Sequence, residues 1–206
     1  MERLIRLSLV VLFLFCNINV KANADAMTDI RARLQAHDLV RADFVQTRTM
    51  KDLERPLVSR GRLVVWGPGG VIWQTEQPFR ATYVLRDDST IEIAADGART
   101  VRSARDDRGA ARIGRVLRAV LKGDAKALEE WFEAEPHVSG GRWSLALAPR
   151  QGPIAFFVKS VQLSGGEFVD SVRIVEETGD ATHMQFRNHH GGGALSDEER
   201  RLLAGE

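Results

Sequence analysis

Hydrophobic positions along this chain repeat with more than one period, and each change of period predicts a change of structure. An unbroken apolar run, LSLVVLFLF from Leu7 to Phe15, stands first. From Ala26 to Val40, Ile30 and Leu34 lie four apart among Arg31, Arg33 and Gln35, which predicts a modestly amphipathic helix. Strand-like segments follow: Phe44–Thr49, Gly61–Trp66, Val71–Thr75, Ala81–Leu85 and Thr90–Ala94 are short, rich in β-branched and aromatic residues, and separated by Gly, Pro, Asp or charged turns. Their close spacing predicts antiparallel pairing, because parallel neighbours need a helical crossover between them.

In RIGRVLRAVLKGDAKALEEWF the period becomes helical. Ile113, Val116, Leu117, Val120 and Leu121 fall at i, i+3, i+4, i+7 and i+8, one face of a helix that Gly123 stops. Asp124 is placed to cap a second helix, with Leu128, Trp131 and Phe132 on one side, Glu129, Glu130 and Glu133 around the other, and Pro136 ending it. From Trp143 the strand pattern returns. Trp143, Leu145 and Leu147 alternate with small residues; Ala155–Leu163, Phe168–Glu176 and Thr182–Arg187 follow, with turns at Gly165-Gly166 and Gly179-Asp180. Ser196 and Glu199 have capping-box spacing ahead of Leu202 and Leu203, which predicts a short terminal helix. The fold class is α+β: one antiparallel sheet of about nine or more strands, preceded by a helix and interrupted by a helical pair. So large a sheet tends to curl, and helices inserted between its two runs of strands bury their apolar stripe by packing across the mouth.

Arg3 and Arg6 before the Leu7–Phe15 run, and Ala22-Asn23-Ala24 after it, predict a secretory signal peptide over residues 1–24, with one domain over 25–206. The run is well short of the roughly 20 apolar residues that cross a bilayer. Cys16, the single cysteine, follows bulky Leu14 and Phe15, which argues against lipid attachment there. Since it lies in the segment expected to be removed, the mature chain is expected to rely on its core, with no disulfide or thiol nucleophile. The chain carries 29 Lys and Arg against 28 Asp and Glu, interspersed, which argues against nucleic acid as a partner and offers no obvious stripe for anionic headgroups.

The motifs of hydrolytic and nucleotide chemistry are missing: no Gly-x-Ser-x-Gly elbow, no phosphate-cradling glycine loop, no His-Glu-x-x-His helix. Adjacent His189 and His190 would face opposite ways on a strand, a poor chelate, and with Gly191-Gly192-Gly193 behind them they read as a polar loop. His183 reads as a surface or rim residue. Asp87-Asp88 and Asp106-Asp107 sit beside arginines in turn-like stretches and read as solvated turns, because acid–base work needs a buried, perturbed carboxylate. The arginines of residues 112–122 read as the outer face of a helix, with docking of an acidic partner kept open. No catalytic residue, metal or cofactor is expected.

ADFVQ at 42–46 behind an amphipathic helix, Gly61-x-Leu63-x-Val65, Pro68, Trp73 and Gln77-Pro78 together resemble the LolA-type periplasmic carriers that escort lipoproteins to the outer membrane. The matching order and spacing run from about Ala26 to Pro78, and the later elements are compatible. The resemblance implies an incomplete antiparallel β-barrel lidded by helices, with an apolar cavity for acyl chains, in a periplasmic protein that is not an enzyme. It also implies an inner-membrane transporter that loads the carrier with lipoprotein or other acylated cargo and an outer-membrane acceptor that empties it; a monomer is expected. The expected cavity wall is Phe44, Leu63, Val65, Trp73 and Tyr83, with Trp66 on the opposite face or at the rim. Ile113, Val116, Leu117, Val120, Leu121 and Trp131 form the expected lid surface, although periodicity alone does not separate a displaceable lid from permanent core. In familiar members a basic residue just before the proline of the turn helps latch the lid; here Gly67 stands there, with Arg62 and Arg80 as candidate substitutes. That departure keeps open another amphiphile, such as a glycolipid or a polyketide-derived lipid. A non-transport interaction or sensor domain and an unrecognised hydrolase are the readings from other classes.

Overall fold

The computed structural model describes residues 23–103, 116, 119–121 and 124–206, so residues 1–22 of the expected signal peptide and the expectations placed on Asp106-Asp107, the arginines of 112–122, Ile113 and Leu117 lie outside the described residues. A helix over residues 23–34 opens the described chain. The strand-like segments form β1 (Leu39–Thr49), β2 (Leu57–Trp66), β3 (Gly70–Gln77), β4 (Ala81–Leu85), β5 (Ser89–Ala94) and β6 (Arg99–Ser103). After the helix Ala125–Trp131 come β7 (Phe132–Ser139), β8 (Arg142–Pro149), β9 (Val158–Gly165), β10 (Val169–Glu176) and β11 (Ala181–Gly191), then the helix Asp197–Ala204.

All eleven strands join one sheet in the order β6-β5-β4-β3-β2-β1-β11-β10-β9-β8-β7. Every neighbouring pair is antiparallel. The chain starts at the centre of the sheet, runs out to the edge strand β6, and re-enters at the opposite edge, β7. These two edges are consecutive in sequence, joined through residues 104–131, and the sheet stays open between them. Laid flat, eleven strands at about 4.8 Å would spread over about 48 Å. Here one apolar cluster gathers side chains from β1, β2, β3, β8, β9, β10 and β11 together with the helical residues, as expected of a curled sheet wrapped around its cover.

Burial follows from which face is covered. In β8, Trp143, Leu145 and Leu147 are buried while the residues between them are exposed, the alternation of a sheet solvated on one side. In β2 and β3, Leu63, Val64, Val65 and Val71, Ile72, Trp73 are buried without alternation because both faces are covered. The inner face, carrying Phe44 and Trp73, packs against Ile30 of the first helix and against helical Val116, Ala119, Val120 and Leu121. The outer face, carrying Leu39, Val64, Ile72, Val84 and Ile91, is covered by Leu203 of the C-terminal helix.

That last helix forms as its sequence predicts. Ser196 Oγ accepts the Glu199 N–H at 3.1 Å, the Glu199 carboxylate accepts the Ser196 N–H at 2.6 Å, and Gly205 closes the other end in the left-handed region with φ 86°. Glu199 also receives Arg41 Nε and Nη2, both at 2.7 Å, which pins the helix to β1. The hydrogen bond from Arg41 is the main reason the Glu199 carboxyl is held below the usual carboxylate range.

Several boundaries differ from the sequence expectation, and β1, β2 and β3 are longer than expected. The first helix ends at 34 instead of 40, because Leu39 and Val40 pair with Trp66 and Val65 in the ladder. Phe132, Glu133 and Pro136 belong to β7 and not to a helix; β7 is an edge strand, where proline's missing N–H is tolerated. Residues Pro153–Phe156 form a 3₁₀ turn, so β9 starts at Val158 and not at Ala155. His189 and His190 end β11 and are not a loop.

Candidate functional site

The inner face is built around three aromatic rings in contact, one from each of three strands. Phe44 and Trp73 lie 4.0 Å apart between ring centroids, tilted by 33°, and Phe186 meets Trp73 edge-on at 6.2 Å and 88°. Phe44 stands opposite Gly61, and a register shift between Arg60 and Gly61 brings β3 close. A Cβ at Gly61 would fall 1.8 Å from the Gln74 carbonyl oxygen, so only glycine permits this approach.

Most of the expected site residues converge. Phe44, Leu63, Val65 and Trp73 are buried in the same cluster as Val116, Val120 and Leu121, with Tyr83 and Trp131 half-buried against it. The Tyr83 hydroxyl donates to Glu92 Oε1 at 3.3 Å; burial first, and then the Glu92 charge, push its pKa up. Trp66 lies on the outer face against the C-terminal cluster.

A cavity of about 40 Å³ remains between helix and sheet, bordered by Leu34 and Leu121 on one side and by Val40, Ala42, Leu63 and Phe186 on the other. A dry cavity that holds a single benzene is about 150 Å³.

At the mouth of this cavity His37, Phe168 and His189 form a three-ring stack. The centroids are 5.1 Å apart at 21° and 5.0 Å apart at 2°. His37 Nε2 lies 3.0 Å from Glu167 Oε1, and His189 Nε2 lies 2.9 Å from the Val169 carbonyl oxygen. Gly191 makes room for the first ring, since a Cβ there would lie 2.7 Å from His37 Nδ1. Sequence patterning misses this cluster. Its one signal along the chain is a glycine directly behind a histidine pair at the end of a strand.

The helices are fastened by polar ties at their rims. Arg31 of the first helix pairs with Glu129 at 3.2 Å, and Arg33 Nη1 donates to the Gly141 carbonyl at 2.7 Å. Arg150 Nε donates to the carbonyls of Glu129 and Phe132 at 3.0 and 3.2 Å, where the helix Ala125–Trp131 runs into β7. Neither candidate substitute for the latch takes that part. Arg62 is paired with Glu76 at 2.7 Å, and both Arg62 and Arg80 line an outer-face groove of about 550 Å³ with Gln74 and Thr82. Gly67 donates its own N–H to the Asp38 carbonyl at 2.8 Å.

Residues 20–197 match the family described as "Outer membrane lipoprotein carrier protein LolA-like". No curated protein matches the chain in sequence. Among solved structures, a putative outer membrane lipoprotein-sorting protein domain from Vibrio parahaemolyticus is similar, with TM-score 0.54 and 9% identity over 90% of this chain and 99% of that one. A DUF1329 family protein from Desulfovibrio piger aligns with TM-score 0.52 and 10% identity over 87% and 95%. At these identities the two structures support the fold alone. No helix among the described residues is long and apolar enough to cross a membrane.

Proposed function

The chain belongs to the LolA-like outer membrane lipoprotein carrier family, and we propose that it is a periplasmic, non-enzymatic carrier. It binds the acyl chains of a lipoprotein between its helical cover and its curled sheet and delivers them toward the outer membrane. The observation that carries this reading is the apolar contact between Phe44, Leu63, Val65 and Trp73 on the sheet and Val116, Val120 and Leu121 on the cover, with a small void left beside it.

Burying each acyl methylene is worth about 0.8 kcal/mol, so a multiply acylated lipid does not cross an aqueous compartment unaided. A cavity filled by its own cover binds such a cargo with moderate net affinity, because each new contact replaces an old one. Release then needs only the return of the cover. The cover's rim supports this: the side chains of Arg31 and Glu129 are 45% and 53% exposed, and such surface pairs contribute about 0–1 kcal/mol. An inner-membrane donor and an outer-membrane acceptor complete the cycle in this reading.

With Gly67 in the place of a basic latch, another multi-chain amphiphile fits the same site. Native mass spectrometry of protein purified from a Gram-negative periplasm tests both readings. A co-purifying acylated molecule is expected, and its mass identifies the cargo. Protein that neither retains nor binds any acylated molecule would sink the carrier reading, and catalytic turnover abolished by one polar substitution would put a hydrolase in its place.

A further inference from the structure

The antiparallel ladder between β10 and β11 is incomplete. It runs from the Val175–Ala181 pair to the Ser171–Gln185 pair and stops there, although β10 begins at Val169 and β11 continues to Gly191. Past Gln185 the end of β11 stays paired with β1, and the start of β10 stays paired with β9 through Val169 and Gly165. The sheet is therefore split at this end. Both sides of the split are irregular. The β1–β11 register shifts between Arg41 and Asp43, opposite Asn188 in the left-handed region at φ 54°, and the β9–β10 register shifts between Val169 and Ser171. Such bulges end pairing and re-aim side chains, and here the His189 ring of β11 lies stacked on Phe168 across the split.

The cavity between the first helix and the sheet opens at this split. Its throat is apolar, through Leu34, Val40, Ala42, Val169 and Phe186, and its rim is polar, through Arg33, His37, Glu167 and His189. Side chains bridge the gap where the backbone ladder does not. Phe168 is half-buried, its ring held between the His37 and His189 imidazoles. His189 Nε2 lies 2.9 Å from the Val169 carbonyl oxygen, and His37 Nε2 lies 3.0 Å from Glu167 Oε1. The side chains of that last pair are 29 and 68% exposed, so solvent screens the pair and it parts at little cost.

We propose that this split is the port through which an acyl amphiphile enters and leaves the inner face, with Phe168 as its plug and His37 and His189 as the jaws that hold the plug. The inference rests on the carrier reading and adds to it a route. An apolar throat under a polar rim suits a molecule with a hydrocarbon chain and a polar head, one end in each. Swinging Phe168 aside breaks two ring contacts and no strand pairing, whereas entry between two paired strands would break ladder hydrogen bonds. Arg33 is held by Asp29 at 3.0 Å and by the Gly141 carbonyl at 2.7 Å, which keeps the first helix seated while the plug moves.

Stopped-flow uptake and release of a fluorescent fatty acid by the mature chain tests the port. Phe168→Ala is expected to raise the association and dissociation rates together by about fivefold with little change in affinity, because the ring leaves the path and not the bound state. Glu167→Gln loosens one jaw without removing apolar surface. It is expected to raise both rates by about twofold, and it serves if Phe168→Ala melts early. Wild type that takes up no fatty acid would overturn the carrier reading and the port with it. Wild type that takes it up, with both variants at wild-type rates, would overturn the port alone. So would a Phe168→Ala variant that binds more weakly at an unchanged association rate, which makes the ring a bound-state contact. Faster uptake in Arg150→Gln and not in Phe168→Ala would also overturn it, by placing entry at the junction with β7.

Discussion

Single residues fix the interior more tightly than their number suggests. Trp73 touches both Phe44 and Phe186, so Trp73→Ala removes two ring contacts and leaves a void; it is expected to cost about 3–5 kcal/mol in urea unfolding. Val120 has no exposed surface and packs between cover and sheet, so Val120→Asp puts a charge where nothing pairs with it. Loss of folding or of fatty-acid binding is expected, and wild-type behaviour in both assays would show that the stripe is not buried. Gly191 offers a gentler probe of the mouth. Gly191→Ala drives a methyl group against the His37 ring and is expected to cost about 1 kcal/mol, with the His37 and His189 ring resonances shifting in NMR spectra. Trp66 shows how one tryptophan differs from another. It sits seven residues before Trp73, yet the parity of β2 turns it to the outer face.

Among the elements, the C-terminal helix has the most local determinants. Its capping box and its glycine stop lie in contiguous sequence and are legible from spacing alone, whereas its Arg41 clamp comes from a strand far along the chain. Glu199→Gln is expected to cost about 1–2 kcal/mol near neutral pH, the range for a charge-assisted hydrogen bond. The sign of the pH effect follows from the depressed carboxyl. Its contribution is complete above the unfolded-state value and is lost as pH falls through the lower folded value, so the variant should show a shallower loss of stability in acid. The helix Ala125–Trp131 is legible through its cap, but its end is not, because Phe132-Glu133-Ala134-Glu135-Pro136 fits a helix ending at proline as well as an edge strand. β6 cannot be read at all: RTVRS is exposed at every position and carries no alternation. The burial of Phe44, Leu63, Val65, Trp73, Val116, Val120 and Leu121 is legible because apolar periodicity reports burial. The His37–Phe168–His189 mouth is not, because three residues distant in sequence meet only once β1 and β11 are paired.

For the whole molecule, topology couples the sheet to its cover. The two edge strands are the ends of one connecting segment, so the element that closes the inner face is also the one that links both sides of the open seam. The helix Ala125–Trp131 enters β7 without an intervening loop, and Arg150 holds that junction. The order of strands also has a kinetic consequence. β2 through β6 and β7 through β11 are meanders of neighbours, but the central seam joins β1 to β11, Val40 against Gly191, from nearly opposite ends of the described chain. High contact order slows folding, and this pairing must wait until the last strand is available. A destabilising substitution in this seam, such as Phe186→Ala, is expected to slow the refolding limb in stopped-flow tryptophan fluorescence if the seam forms in the rate-limiting step. Until β11 is in place, β1 and β10 present unpaired inner edges, so a nascent chain halted before β11 would be two half-sheets, each with a sticky border.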